Sequence, residues 1–187
     1  SFCEKLTDKS LEYLAECPHL SHLELSNNPN YTDAGIQKIL KPSLKVLGML
    51  SLTAVTSKPL ETIHENSPEI ISLNLNSFSN IRPEAGLALS RCQHLVVLKL
   101  NDNPSITDQF FVNFCQNGGG KNLEVLFLKG CPALTDLTAE LISRHFVKLQ
   151  DLGTTELNFS DKAVDSLLNL PHLQILRMSN MPNVTDL

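Results

Sequence analysis

The residues of this chain that could ligate a metal are six histidines and five cysteines. They form no CxxC pair and no Cys/His spacing typical of zinc. His19, His94 and His172 each precede a leucine of the same local pattern, which indicates one position repeated along the chain. Ligands of one ion must all lie within about 2.1 Å of it, and these three belong to separate repeats. We therefore expect no metal and no cofactor.

A nucleophilic site is the second chemistry to consider. Cys17, His19 and Asp33 could supply a thiol, a base and an acid, but Cys17 shares its repeat position with Cys92, so repetition explains the set. The run Gly118–Gly120 lacks the Gly-Lys-Ser/Thr continuation and the preceding strand of a phosphate-binding loop. We expect neither enzyme activity nor a small-molecule substrate.

Bulk composition narrows the class of partner. The 187 residues are 42% hydrophobic and 19% charged, which is typical of a globular protein. A net charge of −5 argues against nucleic acid and anionic membranes, and no apolar run approaches the ~18 residues that span a bilayer. The odd cysteine count favours reduced, buried thiols and a cytoplasmic or nuclear location. Aromatic residues are 5%, so we expect a core of Leu, Ile and Val.

A repeated strand pattern runs through the whole sequence. The pattern L-x-x-L-x-L recurs seven times at steps of 24 to 28 residues, and the alternation at its end predicts a short β-strand. Its copies are Leu20-Leu23-Leu25, Leu44-Leu47-Met49, Ile70-Leu73-Leu75, Leu95-Leu98-Leu100, Leu123-Leu126-Leu128, Leu149-Leu152-Thr154 and Leu173-Leu176-Met178.

A helix is predicted after each strand. Three residues after the strand pattern comes Asn or Cys in three repeats and Leu, Phe or Met in the other four, often followed by Pro. An apolar-Thr-Asp signal then predicts an N-cap. Apolar residues three, six and seven positions beyond the Asp predict the buried face of an amphipathic helix, as in Val164, Leu167 and Leu168. Residues 51–59 and 81–83 lack good caps, which predicts two short or irregular helices.

The combined pattern L-x-x-L-x-L-x-x-(N/C)-P, with Thr-Asp and a helix after it, resembles the cysteine-containing subfamily of leucine-rich repeats. Cys3 and Cys131 occupy the Cys/Asn position of that subfamily. The resemblance covers the whole chain and implies an α/β horseshoe, a right-handed β-α superhelix with a parallel inner sheet and outer helices. The subfamily is best known from F-box proteins, in which the repeats present substrates to a ubiquitin ligase.

We expect residues 1–187 to form a single domain of about seven repeats. Cys3 aligns with Cys131, so the sequence begins just after a strand, and it ends one residue after Thr185-Asp186, before a helix. Repeat arrays need polar capping units, and neither end shows one. These features predict a longer parent array.

A partner-binding site is predicted on the concave face of the sheet. Residues between the ladder leucines face outward, and an exposed aromatic flanked by cations is the usual makeup of an interface hot spot. We expect this site to hold an acidic or phosphorylated segment of a protein. Its predicted residues are Asn74, Asn76, Lys99, Asn101, Phe127, Lys129 and Arg177.

The resemblance implies a protein-interaction scaffold, with substrate recognition in an F-box-like ubiquitin ligase as the main hypothesis. A bacterial effector, or another leucine-rich-repeat adaptor such as a cytoskeletal or GTPase regulator, is the alternative. An enzyme inhibitor resembling the ribonuclease inhibitors is more remote, because those repeats are longer.

Overall fold

A parallel sheet of seven strands forms one side of the protein. The computed structural model describes residues 5–78 and 80–185, and its strands follow chain order, each pairing with the next in one register. The middle leucine of every strand pattern therefore lies beside its equivalents, as predicted. The strands are β1 (His22–Ser26), β2 (Val46–Leu50), β3 (Ser72–Asn74), β4 (Val97–Lys99), β5 (Val125–Phe127), β6 (Asp151–Gly153) and β7 (Ile175–Arg177).

Short helices cover the other side of the sheet. They are α1 (Asp8–Ala15), α2 (Asp33–Ile39), α3 (Ile63–Asn66), α4 (Pro83–Leu89), α5 (Asp108–Phe114), α6 (Asp136–His145) and α7 (Asp161–Leu167). A 3-10 helix, Lys58–Thr62, precedes the single turn α3, so the prediction of an irregular element after β2 is confirmed. The same prediction for 81–83 is wrong, because Pro83 at the first turn of α4 starts a regular seven-residue helix.

In each repeat, one residue shortly after the strand turns the chain by adopting a positive φ. These residues have φ between 51° and 68°, and they are Asn27, Ser51, Ser77, Asp102, Gly130, Glu156 and Asn180. The next side chain then enters the core, where Asn103 donates from Nδ2 to the carbonyl oxygens of Leu75 and Leu100 at 2.8 Å each. Cys131 Sγ contacts the Leu100 carbonyl in the same way at 3.1 Å. Cys3, which we predicted at this position, lies outside the described residues.

The Thr or Ser of the Thr-Asp signal lies at the N-cap position of its helix, as predicted, but only Thr135 makes the side-chain capping bond, and the signal instead joins neighbouring repeats. At the first position of a helix, the Asp carboxylate accepts from the backbone N–H and the hydroxyl of the Thr or Ser in the next repeat. We call this pair of bonds the Asp–Thr clamp. It joins Asp8 to Thr32, Asp33 to Thr56, Asp108 to Thr135, Asp136 to Ser160 and Asp161 to Thr185. Of these Thr and Ser residues, Thr135 also accepts from its own helix, from the N–H of Leu137.

One apolar core fills the space between sheet and helices. Leu and Ile side chains form most of it, as predicted, but six phenylalanines are also fully buried, so the expectation of a purely aliphatic core is wrong. Phe111, Phe114 and Phe146 pack together with ring centroids 5.7 to 6.5 Å apart. Leu168, predicted on the buried helix face, is 68% exposed, because it follows the end of α7.

Candidate functional site

The exposed side of the sheet, which we call the sheet face, is a continuous surface to which every repeat contributes one strand. Packed helices lie about 8–10 Å apart and strands about 4.8 Å apart, so a stack of such units curves with the sheet on its inner side. The register places side by side, on this face, the residue that lies between the second and third ladder positions of each repeat. They are Glu24, Gly48, Asn74, Lys99, Phe127, Gly153 and Arg177.

Phe127 lies between two cations of the predicted site. Lys99 Nζ on the preceding strand is 5.8 Å from the centroid of its ring, and the guanidinium carbon of Arg177, two strands further on, is 5.2 Å away. Gly153, on the strand between, makes this possible: a Cβ there would lie 3.1 Å from Phe127 Cδ1. Cations within about 6 Å of an aromatic ring are attracted to its face. The Phe127 ring is half-buried, and one cation from each side of it in the strand order lies within 6 Å of its centroid.

Two carboxylates complete the group that we call the Phe127 cluster, which consists of Lys99, Phe127, Lys129, Asp151, Glu156 and Arg177. Asp151 pairs with Arg177, and Glu156 Oε1 lies 3.5 Å from Lys129 Nζ. Among the described residues no carboxylate lies within 4 Å of Lys99. The cluster carries a net charge of +1, and its one cation without an anionic neighbour in that set is Lys99.

The side-chain oxygens of the three predicted asparagines accept from backbone N–H groups, and those of Asn76 and Asn101 do so across neighbouring repeats. Asn76 Oδ1 accepts from the N–H of Asn101, and Asn101 Oδ1 accepts from the N–H of Lys129, both at 2.8 Å. Asn74 Oδ1 accepts from the N–H of Asn76 at 3.3 Å. Within residues 5–78 and 80–185, the Nδ2 groups of these asparagines have no protein acceptor. Each side chain therefore stabilises the sheet and keeps donors for a bound chain.

Sequence reasoning missed the residues that shape and neutralise the cluster. Asp151, Gly153 and Glu156 were absent from the predicted site, although all three come from the same strand region. The residues between the second and third ladder positions, compared from repeat to repeat, could have shown that Gly153 lies beside Phe127 on the next strand. The two ion pairs had no such signal, because they depend on side-chain directions across neighbouring strands.

Thiol and metal chemistry receive no support from this geometry. Burial raises the pKa of Cys92 to about 12. Burial is also the largest influence on the Cys131 thiol and raises its pKa to about 11, so both thiols stay protonated at neutral pH. Cys17 is exposed, contrary to the expectation of buried thiols, and the Asp33 carboxylate is occupied in its clamp with Thr56. In the described part of the chain, no three His, Cys, Asp or Glu residues are grouped to hold a metal.

No helix in the described ranges has the length and apolar character needed to cross a membrane.

Comparison with known proteins agrees with the repeat and the fold. The family model described as "Leucine Rich repeat" matches residues 16–40 and 91–109. An internalin (inlF) structure from Listeria monocytogenes str. 4b F2365 is similar over 94% of this chain and 52% of its own length, with a TM-score of 0.60 and 18% identity. The internalin C2 (inlC2) structure from the same organism is similar over 96% of this chain and 82% of its own, with a TM-score of 0.54 and 20% identity.

This chain thus spans about half the length of the inlF structure that it matches. At these levels of identity, the likenesses establish the fold, an α/β solenoid of leucine-rich repeats with seven parallel strands alternating with helices.

Proposed function

Because the chain is a leucine-rich-repeat solenoid, we propose that it serves as a protein-binding scaffold whose sheet face holds the partner. The observation that supports this most is the Phe127 cluster, a half-buried aromatic ring with Lys99 and Arg177 within 6 Å of its centroid. Aromatic residues and arginine dominate the binding energy of known protein interfaces. Proteins of this repeat type are typically not enzymes, and we propose no catalytic role.

The partner segment that fits the cluster is acidic or phosphorylated. Lys99 has no carboxylate within 4 Å among the described residues, so an incoming anion gains a charge-assisted hydrogen bond without displacing an ion pair there. Asn76 and Asn101, on the neighbouring strands, offer Nδ2 donors to carbonyl oxygens of an extended chain. The Phe127 ring supplies apolar contact area beside these polar groups.

The assembly in which such a scaffold works is a separate question. The F-box-like ubiquitin-ligase role is supported by sequence resemblance alone. The similar solved structures are bacterial internalins, and they favour the alternative of a bacterial effector or another leucine-rich-repeat adaptor. We therefore propose the general scaffold role first and rank this alternative above the ligase. The inhibitor role and the cytoplasmic or nuclear location are supported by the sequence alone.

The test is partner capture with two matched pairs of substitutions. Phe127→Ala with Lys129→Glu changes an aromatic and a cation on the sheet face. Tyr13→Ala with Lys162→Glu makes the same two changes on the exposed helix side, where Tyr13 is 60% exposed. The proposal predicts that captured proteins are lost with the first pair and kept with the second.

Equal capture by both double variants would overturn the proposed surface. The identity of the captured proteins separates the assemblies. Consistent recovery of a cullin-ligase adaptor would restore the ligase as the leading hypothesis, and its consistent absence would count against it.

A further inference from the structure

The Asp–Thr clamp is interrupted after the second helix, and this interruption points to a second binding site. At the junction between residues 57 and 82, Ser57 takes the place of the clamp Asp and Arg82 takes the place of the Thr. Ser57 Oγ accepts from the N–H of Arg82 at 3.4 Å, the outer limit of a hydrogen bond, whereas the carboxylates of the intact clamps accept at 2.6 to 3.0 Å. A carboxylate is therefore absent where five other repeats have one.

Two cationic residues line a pocket beside the position of the missing carboxylate. A pocket of about 340 Å³ is lined there by Thr56, Ser57, Lys58, Glu61 and Arg82. The structure describes no carboxylate within 4 Å of the Lys58 or Arg82 side-chain nitrogens. Thr56 already donates its hydroxyl to the clamp of the preceding repeat, so the donors that remain are the ammonium, the guanidinium and the Ser57 hydroxyl.

The adjoining space carries a further polar group without a partner. A second pocket of about 310 Å³ shares Thr56 and Arg82 and is also lined by Ser105. Ser105 Oγ is shielded from solvent, and the described residues offer it no hydrogen-bond partner. A buried hydroxyl in this condition destabilises the structure unless some group satisfies it.

We propose that the first pocket, lined by Lys58 and Arg82, binds an oxyanion in the position of the missing clamp Asp. The oxyanion is a carboxylate or phosphate group of a bound polypeptide. Arg binds such groups through two parallel N–H donors, and Lys adds a point charge. The site lies around the start of the 3-10 helix Lys58–Thr62 and of α4, and it shares no residue with the Phe127 cluster.

Titration with inorganic phosphate tests the site directly. In ¹⁵N–¹H NMR spectra at constant ionic strength, phosphate is expected to cause saturable shifts in the amides of residues 56–58 and 80–82. Lys58→Met and Arg82→Gln are each expected to weaken this binding about tenfold or more, because each removes a charged donor. Glu61→Gln, which removes a competing carboxylate from the pocket, is expected to strengthen it.

The repeat itself supplies matched controls. Lys9 and Lys162 occupy the position of Lys58 after intact clamp residues, so Lys9→Met and Lys162→Met are expected to leave phosphate binding unchanged. Ser57→Asp restores the carboxylate of the other repeats and is expected to abolish phosphate binding while raising the melting temperature. Phe127→Ala is expected to have no effect on phosphate binding.

Two outcomes would overturn the proposal: no saturable shifts in the wild type, or equal affinity in Lys58→Met, Arg82→Gln and the wild type. Short peptides that differ only in phosphoserine or glutamate identify the source of the anion, since the tighter binder shows which group the pocket takes. If phosphate binds and neither peptide does, the assignment to a polypeptide is wrong.

Discussion

Replacing Asp108 by alanine should measure how strongly the Asp–Thr clamp couples two repeats. Its carboxylate accepts from the Thr135 N–H at 3.0 Å, the Thr135 hydroxyl at 2.7 Å and the Thr138 hydroxyl at 2.5 Å. Thr138 is fully buried, so water replaces the lost bond of its hydroxyl less readily than it replaces the exposed bonds of Thr135. The Thr135 N–H and hydroxyl are exposed, so water can take the place of the lost carboxylate there. The Asp108 carboxylate thus joins α5 to α6 by the two exposed hydrogen bonds of the clamp and one part-buried bond to Thr138.

The expected loss of stability follows from these three bonds. Leaving the Thr138 hydroxyl unsatisfied costs about 1–3 kcal/mol, and the two exposed bonds contribute about 0.5–1.5 kcal/mol each. We expect Asp108→Ala to lower the free energy of unfolding by about 3 kcal/mol. For a domain of this length, that corresponds to a fall in melting temperature of roughly 6–12 °C.

Urea unfolding followed by circular dichroism is the assay, with Asp165→Ala as the matched control. Asp165 lies on the exposed side of α7, and its carboxylate has no hydrogen-bond partner in the described ranges, so its removal should change stability by less than about 0.5 kcal/mol. A double-mutant cycle between Asp108→Ala and Thr138→Val should show coupling of at least about 1 kcal/mol. Equal losses in the two Asp variants, or a coupling near zero, would refute the clamp as a link between repeats.

Three further predictions follow from other contacts. Gly86→Ala should cost about 1–3 kcal/mol in urea unfolding, because its Cβ would lie 2.2 Å from a carbonyl oxygen of α5; wild-type stability would contradict that close packing. Alkylation at pH 8, mapped by mass spectrometry, should label Cys17 before Cys92, whose burial raises its pKa to about 12; equal rates would contradict the structure. The Thr185 backbone N–H and then its hydroxyl lower the pKa of Asp161, so this clamp is present above the usual carboxyl pKa and is lost as pH falls through the lowered one. Carbon-13 titration should show that Thr185→Ala raises this pKa, and an unchanged pKa would contradict the clamp.

The fold was predictable because its signal is periodic and strong. The seven leucine patterns fixed the strands and their register, since a shift by one residue would turn the buried leucines to the exposed face. The partner of each clamp Asp was not predictable, because it lies 23 to 27 residues away. The Thr-Asp pair looks locally like an N-cap, and tertiary structure uses it differently.

The candidate site was predictable only in part. The strand columns brought Lys99 and Phe127 together correctly. The contribution of Arg177 to the ring depends on Gly153 having no side chain, and the pairing of Lys129 with Glu156 depends on rotamers. Neither is encoded in a local pattern. Likewise, the irregular α3 could be predicted from its poor cap, whereas the Pro83 start of α4 resembled a defect and is a regular N-terminal position.

Site-specific photo-crosslinking tests the central claim, that the sheet face is the partner-binding surface, most directly. A photoreactive phenylalanine analogue is placed either at Asn76, on the sheet face, or at Lys148, which is exposed in the loop between α6 and β6. Our account predicts crosslinked partner from position 76, its loss when Phe127→Ala is added, and little product from position 148. Partner crosslinked from position 148 and not from position 76 would contradict it.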